Sequence, residues 1–575
     1  MKKYIRVVEQ ILESLLSNLL SLELIKKTIE LPQDKEKGDI AFPFFAFAKI
    51  FKKAPNKIAE EIFISLEKNK IFEEKKNIFS KVEIDGAYLN FFIKKEILFM
   101  DSFIFSVKEK KEKKSKGKAP IIIEFSSPNI AKPFHIGHIR STVIGNALAN
   151  IYEYLGHKVI RMNYLGDYGT QFGKMIIAYR KWGNKEEIEK DPIRSLLSYY
   201  TKFHEEAEKD DTLENEARKA FYNLENNGEE EIELWKWFKN ESIKEFNRVY
   251  ELLGVKFDVI SGESLYQKKL DMVNDLLIEK GLLEESDGAM IVELDGFDSP
   301  AIIKKSDGTS LYTTRDIAAV LDRWEEYHFE KCLYIVASQQ NLHFKQWFKI
   351  TESLGLPFSN RLFHIPFGLV SLEGRTLSTR KGDIVLLEDV LLEAISKTEK
   401  IIKEKGSFKG DIEKLSKEVG IGAVIFNELS KDRVKDYVFS WDQILNFEGE
   451  TGPYVQYTYA RFSSVLEKSG KNERDILEYS KALIIDDKRD DIFQILKIVS
   501  SFDDTVLKAA RENEPAIITR SILSLAKLAN KFYHDNKILS ENDSEENYCL
   551  SIVIIIKETI KKGLSILGVN APIKM

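Results

Sequence analysis

Glu124-Phe125-Ser126-Ser127-Pro128-Asn129-Ile130-Ala131-Lys132-Pro133-Phe134-His135-Ile136-Gly137-His138-Ile139-Arg140-Ser141 is the stretch on which the fold turns. It enters from the β-rich run Ile121-Ile122-Ile123. Pro128 and Pro133 make its middle a loop, because proline fixes φ and has no N–H to give a ladder. From Ile136 the pattern is helical as far as Tyr154. Strand, loop and helix in that order make a βα unit. Gly156 to Asn163 then supplies a turn and a second short strand. The fold class expected is α/β, a Rossmann-like parallel sheet wound by helical crossovers, with ligands gathered at the strand ends.

The tetrapeptide His135-Ile136-Gly137-His138 at that junction has a chemical logic. Backbone N–H groups at a helix start favour a phosphate, a glycine lets a flat base and ribose approach the main chain, and two imidazoles donate to phosphoryl oxygens as charge develops. Two of only 8 histidines in the chain bracket this one glycine. Histidines can also serve as plain polar residues at a helix cap, but the strand-to-helix context favours nucleotide binding.

Outward from the motif, the chain divides by composition. Lys108 to Lys118 packs seven lysines around two glutamates, which reads as a solvated linker rather than a binding patch. Before it, residues 1–108 read as a small α+β module: Val82-Glu83-Ile84 and Tyr88 to Phe92 are strands around Asp85-Gly86. Residues 109–119 are the linker, 120–415 the Rossmann-like domain, and 416–575 a separate all-helical domain. Within the Rossmann-like part, about 186–253 is densely charged with helical periodicity and reads as an insertion carrying no recognisable chemistry. The α/β character returns at Lys331 to Val336 and again at Leu362 to Gly368.

A chain of 575 residues exceeds one compact core, so roughly three or four domains are expected from length. The hydrophobic fraction of 43% and charged fraction of 31% are those of a globular protein, not a disordered one. The first apolar run is broken by Glu9 and Glu13 and has helical spacing, so an amphipathic helix is expected there rather than a signal peptide. Ile552 to Ile556 is far too short to span a bilayer. Cys332 and Cys549 form no Cys-x-x-Cys, so neither a disulfide framework nor a zinc site is expected, nor any other resident metal. The cytoplasm is the expected compartment, with no membrane association. The net charge of −6 does not point to a nucleic acid, although binding depends on where cations cluster.

The quoted stretch resembles the HIGH signature of class I aminoacyl-tRNA synthetases in the form carried by the arginyl-tRNA synthetases. Gly166-Asp167-Tyr168-Gly169-Thr170-Gln171-Phe172-Gly173 resembles a second family motif. Leu311 to Asp316, Gln339 to Gln346, Gly452 to Arg461 and the ending Leu567 to Pro572 resemble further segments in the expected order. The likeness covers nearly the whole chain and is strongest over residues 120–465.

The resemblance implies a ligase of protein biosynthesis. Arginine's carboxylate attacks the α-phosphate of ATP, taken as MgATP, to give arginyl-adenylate; the arginyl group then moves to the terminal adenosine of tRNA(Arg). No protein nucleophile is needed, so positioning and electrostatics carry the rate. Lys132, His135, Gly137 and His138 are the implied catalytic residues. His135, Gly137, His138, His343, Gly368, Leu377, Ser378, Arg380 and Lys381 are the implied ATP contacts. The segment Arg375-Thr376-Leu377-Ser378-Thr379-Arg380-Lys381-Gly382 departs from the KMSKS signature, with Thr376 and Thr379 in place of its lysines. Lys132 occupies the upstream place where this family is expected to compensate. Lys132 alone would read as a surface lysine.

An arginine pocket needs carboxylates and planar partners for a fork-shaped guanidinium. Glu124 and Asp316 are the implied carboxylates and Tyr312 the ring, with Asn129 and Gln340 nearer the α-amino end. Without the family context, Glu124 equally caps a strand and Asp316 a helix. The first domain is expected at the outer corner of tRNA near the D-loop and the helical domain at the anticodon, with Tyr454, Tyr457 and Arg461 as candidate contacts. Such tyrosines are as readily core residues. A monomer is expected. The competing readings are a class I synthetase for cysteine or glutamate, a tRNA-binding paralogue without catalysis, and a small nucleotidyltransferase. Missing zinc ligands, the acidic pocket, the intact signature and the long helical ending weigh against them in turn.

Overall fold

The computed structural model describes every residue except 33, 108–117, 131, 133, 305–311, 373–384, 407, 474 and 477–488. It contains two compact units. One comprises Met1–Glu109, Thr458–Lys508 and Ser521–Lys562; the other comprises Lys110–Tyr457, Ala509–Arg520 and Gly563–Met575.

In the first unit, the helix Lys2–Leu16 buries Tyr4, Val8, Ile11, Leu12 and Leu16, the single stripe that its spacing demands. Strands β1 (Ile40–Pro43), β2 (Phe79–Asp85) and β3 (Tyr88–Ile93) form an antiparallel sheet in the order β1-β3-β2. Asp85 pairs with Tyr88, so β2 and β3 join through a two-residue turn whose first position, Gly86, has φ +58, as a tight hairpin requires. The helix Asp543–Ile566 is fully buried from Cys549 to Ile556, as expected of a helix apolar on every side. No helix among the described residues is long and apolar enough to cross a membrane.

The second unit is built on β4 (Ile121–Glu124), β5 (Val159–Leu165), β6 (Val259–Gly262), β10 (Lys331–Tyr334) and β11 (Leu362–His364), with β7 (Glu284–Ser286), β8 (Ala289–Val292) and β9 (Ala301–Lys304) between. The first five form one parallel sheet in the order β11-β10-β4-β5-β6. All four residues of β4 are buried, as a central parallel strand covered on both faces must be. The chain leaves β4 toward β5 and β6, then returns to β10 on β4's other side. The winding therefore reverses between β4 and β10, and the crevice beyond their carboxyl ends is where such sheets bind ligands.

The helical insertion is present as Lys185–Lys190, Pro192–Ala207, Thr212–Glu225 and Glu229–Leu253, the last closed by Gly254 at φ +67. Strands β7 to β9 form an antiparallel sheet that the sequence reading did not assign. Its signal was present: Asp287 and Gly288 both have positive φ, the Asp-Gly turn of a hairpin. Among the described residues the ending is helical except for β13 (Tyr437–Phe439), which pairs in parallel with β12 (Val370–Leu372). Three-residue strands are too short for a periodicity to reveal.

Candidate active site at the switch point

The end of β4 is strained. Ser126 and Ser127 take φ of 71° and 46°, values that side-chain-bearing residues adopt at a cost of about 1–3 kcal/mol each. Cross-links hold them there. The Ser126 N–H donates to the Ser141 hydroxyl at 2.9 Å, and the Ser126 hydroxyl meets Thr142 at 2.9 Å and Tyr250 at 2.8 Å. The Ser127 N–H donates to the Asn163 amide oxygen at 3.2 Å. Beyond them, Pro128 to Ile130 bonds with Gly166, where a Cβ would fall on the amide oxygen of Asn129. Asn129 itself is exposed at the mouth of the crevice.

His135 caps the turn Ile136–His138 that leads into the helix Ile139–Tyr154. Its Nδ1 accepts from the Gly137 N–H at 3.0 Å, and Nδ1 of His138 accepts from the His135 N–H at 3.2 Å. Burial lowers His135 to about 4 and His138 to about 3, so both rings are neutral at neutral pH. At His135, where Nδ1 accepts, the proton sits on Nε2, the donor a phosphoryl oxygen needs; Nδ1 of His138 also lies 3.2 Å from the His135 carbonyl, to which its other tautomer donates. A Cβ on Gly137 would lie 2.7 Å from Cε1 of His135, so glycine is what lets the ring stay. At Gly145 a Cβ would fall inside the Phe125 ring, so that glycine lets the helix pack on the strand end. The turn is tied to the residues after the signature loop: Ile136 N–H donates to Val385 at 3.1 Å, and Leu387 N–H to Phe134 at 2.9 Å.

Asp316, one turn into the helix Tyr312–Tyr327, meets Nε2 of His343 at 2.6 Å, so the residue expected at ATP sits on a residue expected at arginine. Tyr312 is 61% exposed at the start of that helix, within electrostatic reach of Glu263, and Gln340 is exposed at the end of the turn after β10. Glu124 is buried and ion-paired with the buried Arg323 at 2.5 Å, whose guanidinium lies 5.4 Å from the Tyr164 ring and 5.5 Å from that of Tyr334. Burial raises the Glu124 carboxyl, and Arg323 pulls it back.

Glu263 was not singled out from sequence. It follows β6 directly, at the carboxyl end of the sheet, and is 9% exposed. Burial pushes its carboxyl up to about 7; Arg315 and Lys132 oppose the rise, while Asp316 and Asp167 add to it. Glu263 thus stands beyond the edge strand β6 within electrostatic reach of those four charged groups. Burial lowers the Lys132 ammonium, and Glu263 is the charge that offsets this. Arg315 lies 5.6 Å from the Tyr168 ring. Its signal in the sequence is an acid just past a short strand, Val259-Ile260-Ser261-Gly262.

Arg140, quoted in the motif without a role, is buried. Its Nε donates to Glu428 at 2.6 Å, and Nη1 donates to the carbonyls of Gly368 at 3.0 Å and Lys435 at 2.7 Å. The Gly368 N–H donates to Arg433 at 2.8 Å, so both main-chain groups of this expected ATP contact are engaged with protein. Arg375, Thr376, Leu377, Ser378, Thr379, Arg380 and Lys381 lie outside the described residues, as do Leu311 and most of the lysine-rich linker. On the helix Gly452–Ser469, Tyr454 is half-buried and Tyr457 is 38% exposed, both in the second unit. Arg461, in the first unit, donates to Asn530 at 2.5 Å and lies 4.9 Å from the Tyr533 ring. No cluster of three or more His, Cys, Asp or Glu able to hold a metal ion occurs among the described residues.

Comparison with known proteins gives concordant matches. The family described as tRNA synthetases class I (R), catalytic domain, matches residues 102–441. The DALR anticodon binding domain matches 455–575, and the arginyl tRNA synthetase N terminal domain matches 3–93. The chain is 52% identical over 564 residues to the arginine–tRNA ligase of Halothermothrix orenii, covering 97% of each, and 50% identical over 561 residues to that of Clostridioides difficile, again covering 97% of each. Its fold is similar to the arginyl-tRNA synthetase of Plasmodium falciparum, with TM-score 0.81 at 24% identity over 100% of this chain and 99% of that one. The Thermus thermophilus enzyme gives TM-score 0.81 at 23% identity, over 99% and 100%.

Proposed function

The chain belongs to the class I arginyl-tRNA synthetases, and from that premise we propose how its residues divide the work. The enzyme activates L-arginine with ATP and charges tRNA(Arg). In the first step a carboxylate oxygen of arginine bonds to the α-phosphorus as the bond to pyrophosphate breaks. In the second, a ribose hydroxyl of the terminal adenosine attacks the arginyl carbonyl, loses its proton, and AMP leaves. Neither step passes through a bond to protein.

The reading of the site is carried by the Asp316–His343 contact at 2.6 Å and by the charge interactions that link Asp316, Glu263 and Lys132. Asp316 and Glu263 hold the guanidinium, each an anion in a setting where an unmatched charge is costly. Glu124, a carboxylate of the arginine site in this reading, is ion-paired with Arg323, and Tyr312 supplies the ring face. Asn129 and Gln340 take the α-amino end. His135 and His138 donate Nε2–H to phosphoryl oxygens, and Gly137 keeps that surface open. Lys132 neutralises the polyphosphate as charge develops, with Leu377, Ser378, Arg380 and Lys381 completing the ATP contacts. His343 acts by orienting Asp316. ATP is taken as its magnesium complex, a substrate. The N-terminal domain meets the outer corner of tRNA, and Tyr454, Tyr457 and Arg461 meet the anticodon arm. The enzyme works as a monomer in the cytoplasm.

Pyrophosphate exchange across all twenty amino acids, with and without tRNA(Arg), tests this. Arginine alone should respond, and only with tRNA present. Exchange driven by another amino acid would overturn the pocket assignment. Asp316→Ala should raise KM for arginine far more than KM for ATP; equal shifts would make Asp316 a scaffold residue.

A further inference from the structure

The helical insertion carries no motif, yet one of its helices reaches the pocket through a single buried carboxylate. Asp167, 0% exposed, lies just after β5. Its Oδ2 accepts from Nζ of Lys239 at 2.6 Å, and its carbonyl accepts from Nε1 of Trp235 at 2.8 Å. Both donors belong to the insertion helix Glu229–Leu253. The same carboxylate accepts from the Ser264 N–H at 2.8 Å and the Ser264 hydroxyl at 2.7 Å. On the other side, Gly262 comes so near that a Cβ would fall inside the carboxylate group. Asp167 thus hydrogen-bonds the residue after Glu263 and packs closely against the residue before it.

We infer that Lys239 and Asp167 form a positioning pair that aims Glu263 into the arginine pocket, so that the insertion sets arginine affinity. This rests on Glu263 being an arginine-binding carboxylate. The physical reason for the pair is charge. A fully buried carboxylate is tolerated only when matched, and Lys239 is the cation that matches it. Two donors from Ser264 then use the anion's remaining lone pairs to fix the backbone. Without Lys239 the anion is under-compensated, its hold on Ser264 weakens, and the side chain between its two anchors loses its aim. Burial of Lys239 is partial, its side chain being 23% exposed, so its removal spares the apolar core.

The test is steady-state kinetics of the full-length enzyme with arginine, ATP and tRNA(Arg), using Lys239→Met, Lys239→Arg, Ser264→Ala, Glu263→Gln and the Lys239→Met/Glu263→Gln double variant. Lys239→Met should raise KM for arginine about tenfold, the size expected when a hydrogen bond to a charged group is lost, with smaller changes in kcat and in KM for ATP. Lys239→Arg should restore most of the loss, and Ser264→Ala should act in the same direction. Because Lys239 works through Glu263, the double variant should match Glu263→Gln alone rather than multiply the two effects. Unchanged KM for arginine in Lys239→Met, parallel losses in every constant, or multiplicative effects in the double variant would each overturn the inference. If Lys239→Met does not fold, Ser264→Ala decides in its place. A Glu263→Gln enzyme with normal KM for arginine would instead overturn the reading of Glu263, and the inference with it.

Discussion

Replacing Arg140 with methionine removes a buried cation from between the signature helix and the segment around β13. Both members of the Arg140–Glu428 pair have side chains only 1% exposed, at 2.6 Å. Removing one partner of such a pair costs about 3–5 kcal/mol, because the other charge stays buried without compensation. Two details refine this. The carbonyls of Gly368 and Lys435 also lose a donor, which adds to the cost, while the Tyr437 hydroxyl still donates to Glu428, which offsets part of it. The two act in opposite senses, so the expected loss stays within about 3–5 kcal/mol.

Its pH dependence has a definite sign. Burial raises the Glu428 carboxyl above its ordinary value, with Arg140 holding it down. For a carboxyl raised on folding, the stabilising contribution is complete below its unfolded pKa and is lost as pH rises through the folded value. Without Arg140 the folded value climbs further, so the variant's deficit should widen from mildly acidic to neutral pH. Thermal and urea unfolding near pH 5.5 and pH 7.5 measure it. The Arg140→Met/Glu428→Gln double variant should recover much of the loss, because no uncompensated charge remains. A single variant as stable as the parent at both pH values, or a double variant no better than the single, would refute the reasoning.

Lys132→Ala should lower arginine-dependent pyrophosphate exchange more than about tenfold, or roughly 1.4 kcal/mol of transition-state stabilisation; near-normal exchange removes Lys132 from the mechanism. Gly137→Ala should displace the His135 ring and lower exchange about a hundredfold, the scale of losing one preorganised donor to a developing oxyanion. Glu263 titrates at about 7 because burial raises it. Its anionic form binds a guanidinium, so KM for arginine should rise as pH falls from 8 to 6, approaching about tenfold per unit below the pKa, and the rise should flatten in Glu263→Gln. Tyr457→Ala should lose charging of tRNA while keeping the parent's melting temperature. A lowered melting temperature with normal charging would make that ring a packing residue.

The βα unit at Ile121 to Tyr154 was legible in sequence because its signals are local: an apolar run for a central strand, prolines for the loop, a polar cap at His135 and a long helical pattern. The same holds for the Asp85-Gly86 hairpin and the amphipathic first helix, since alternation, turn chemistry and caps act over a few residues. The family likeness supplied the proposed site residues, including Asp316, Lys132 and the His135 turn. What surrounds those residues was not legible. Arg140 and Glu428 are 288 positions apart, and Lys239 and Asp167 are 72 apart. Whether a charged side chain finds a partner depends on which strands lie side by side and how much water is excluded, and no local pattern carries that. Glu263 illustrates it best: an unremarkable acid in sequence, it becomes a group titrating near neutrality because the sheet order buries it among Asp316, Arg315 and Lys132. Sequence determined the elements and the chemistry they carry; the tertiary structure alone decided which charges meet, because pairing and desolvation are properties of the packed sheet and not of any one segment.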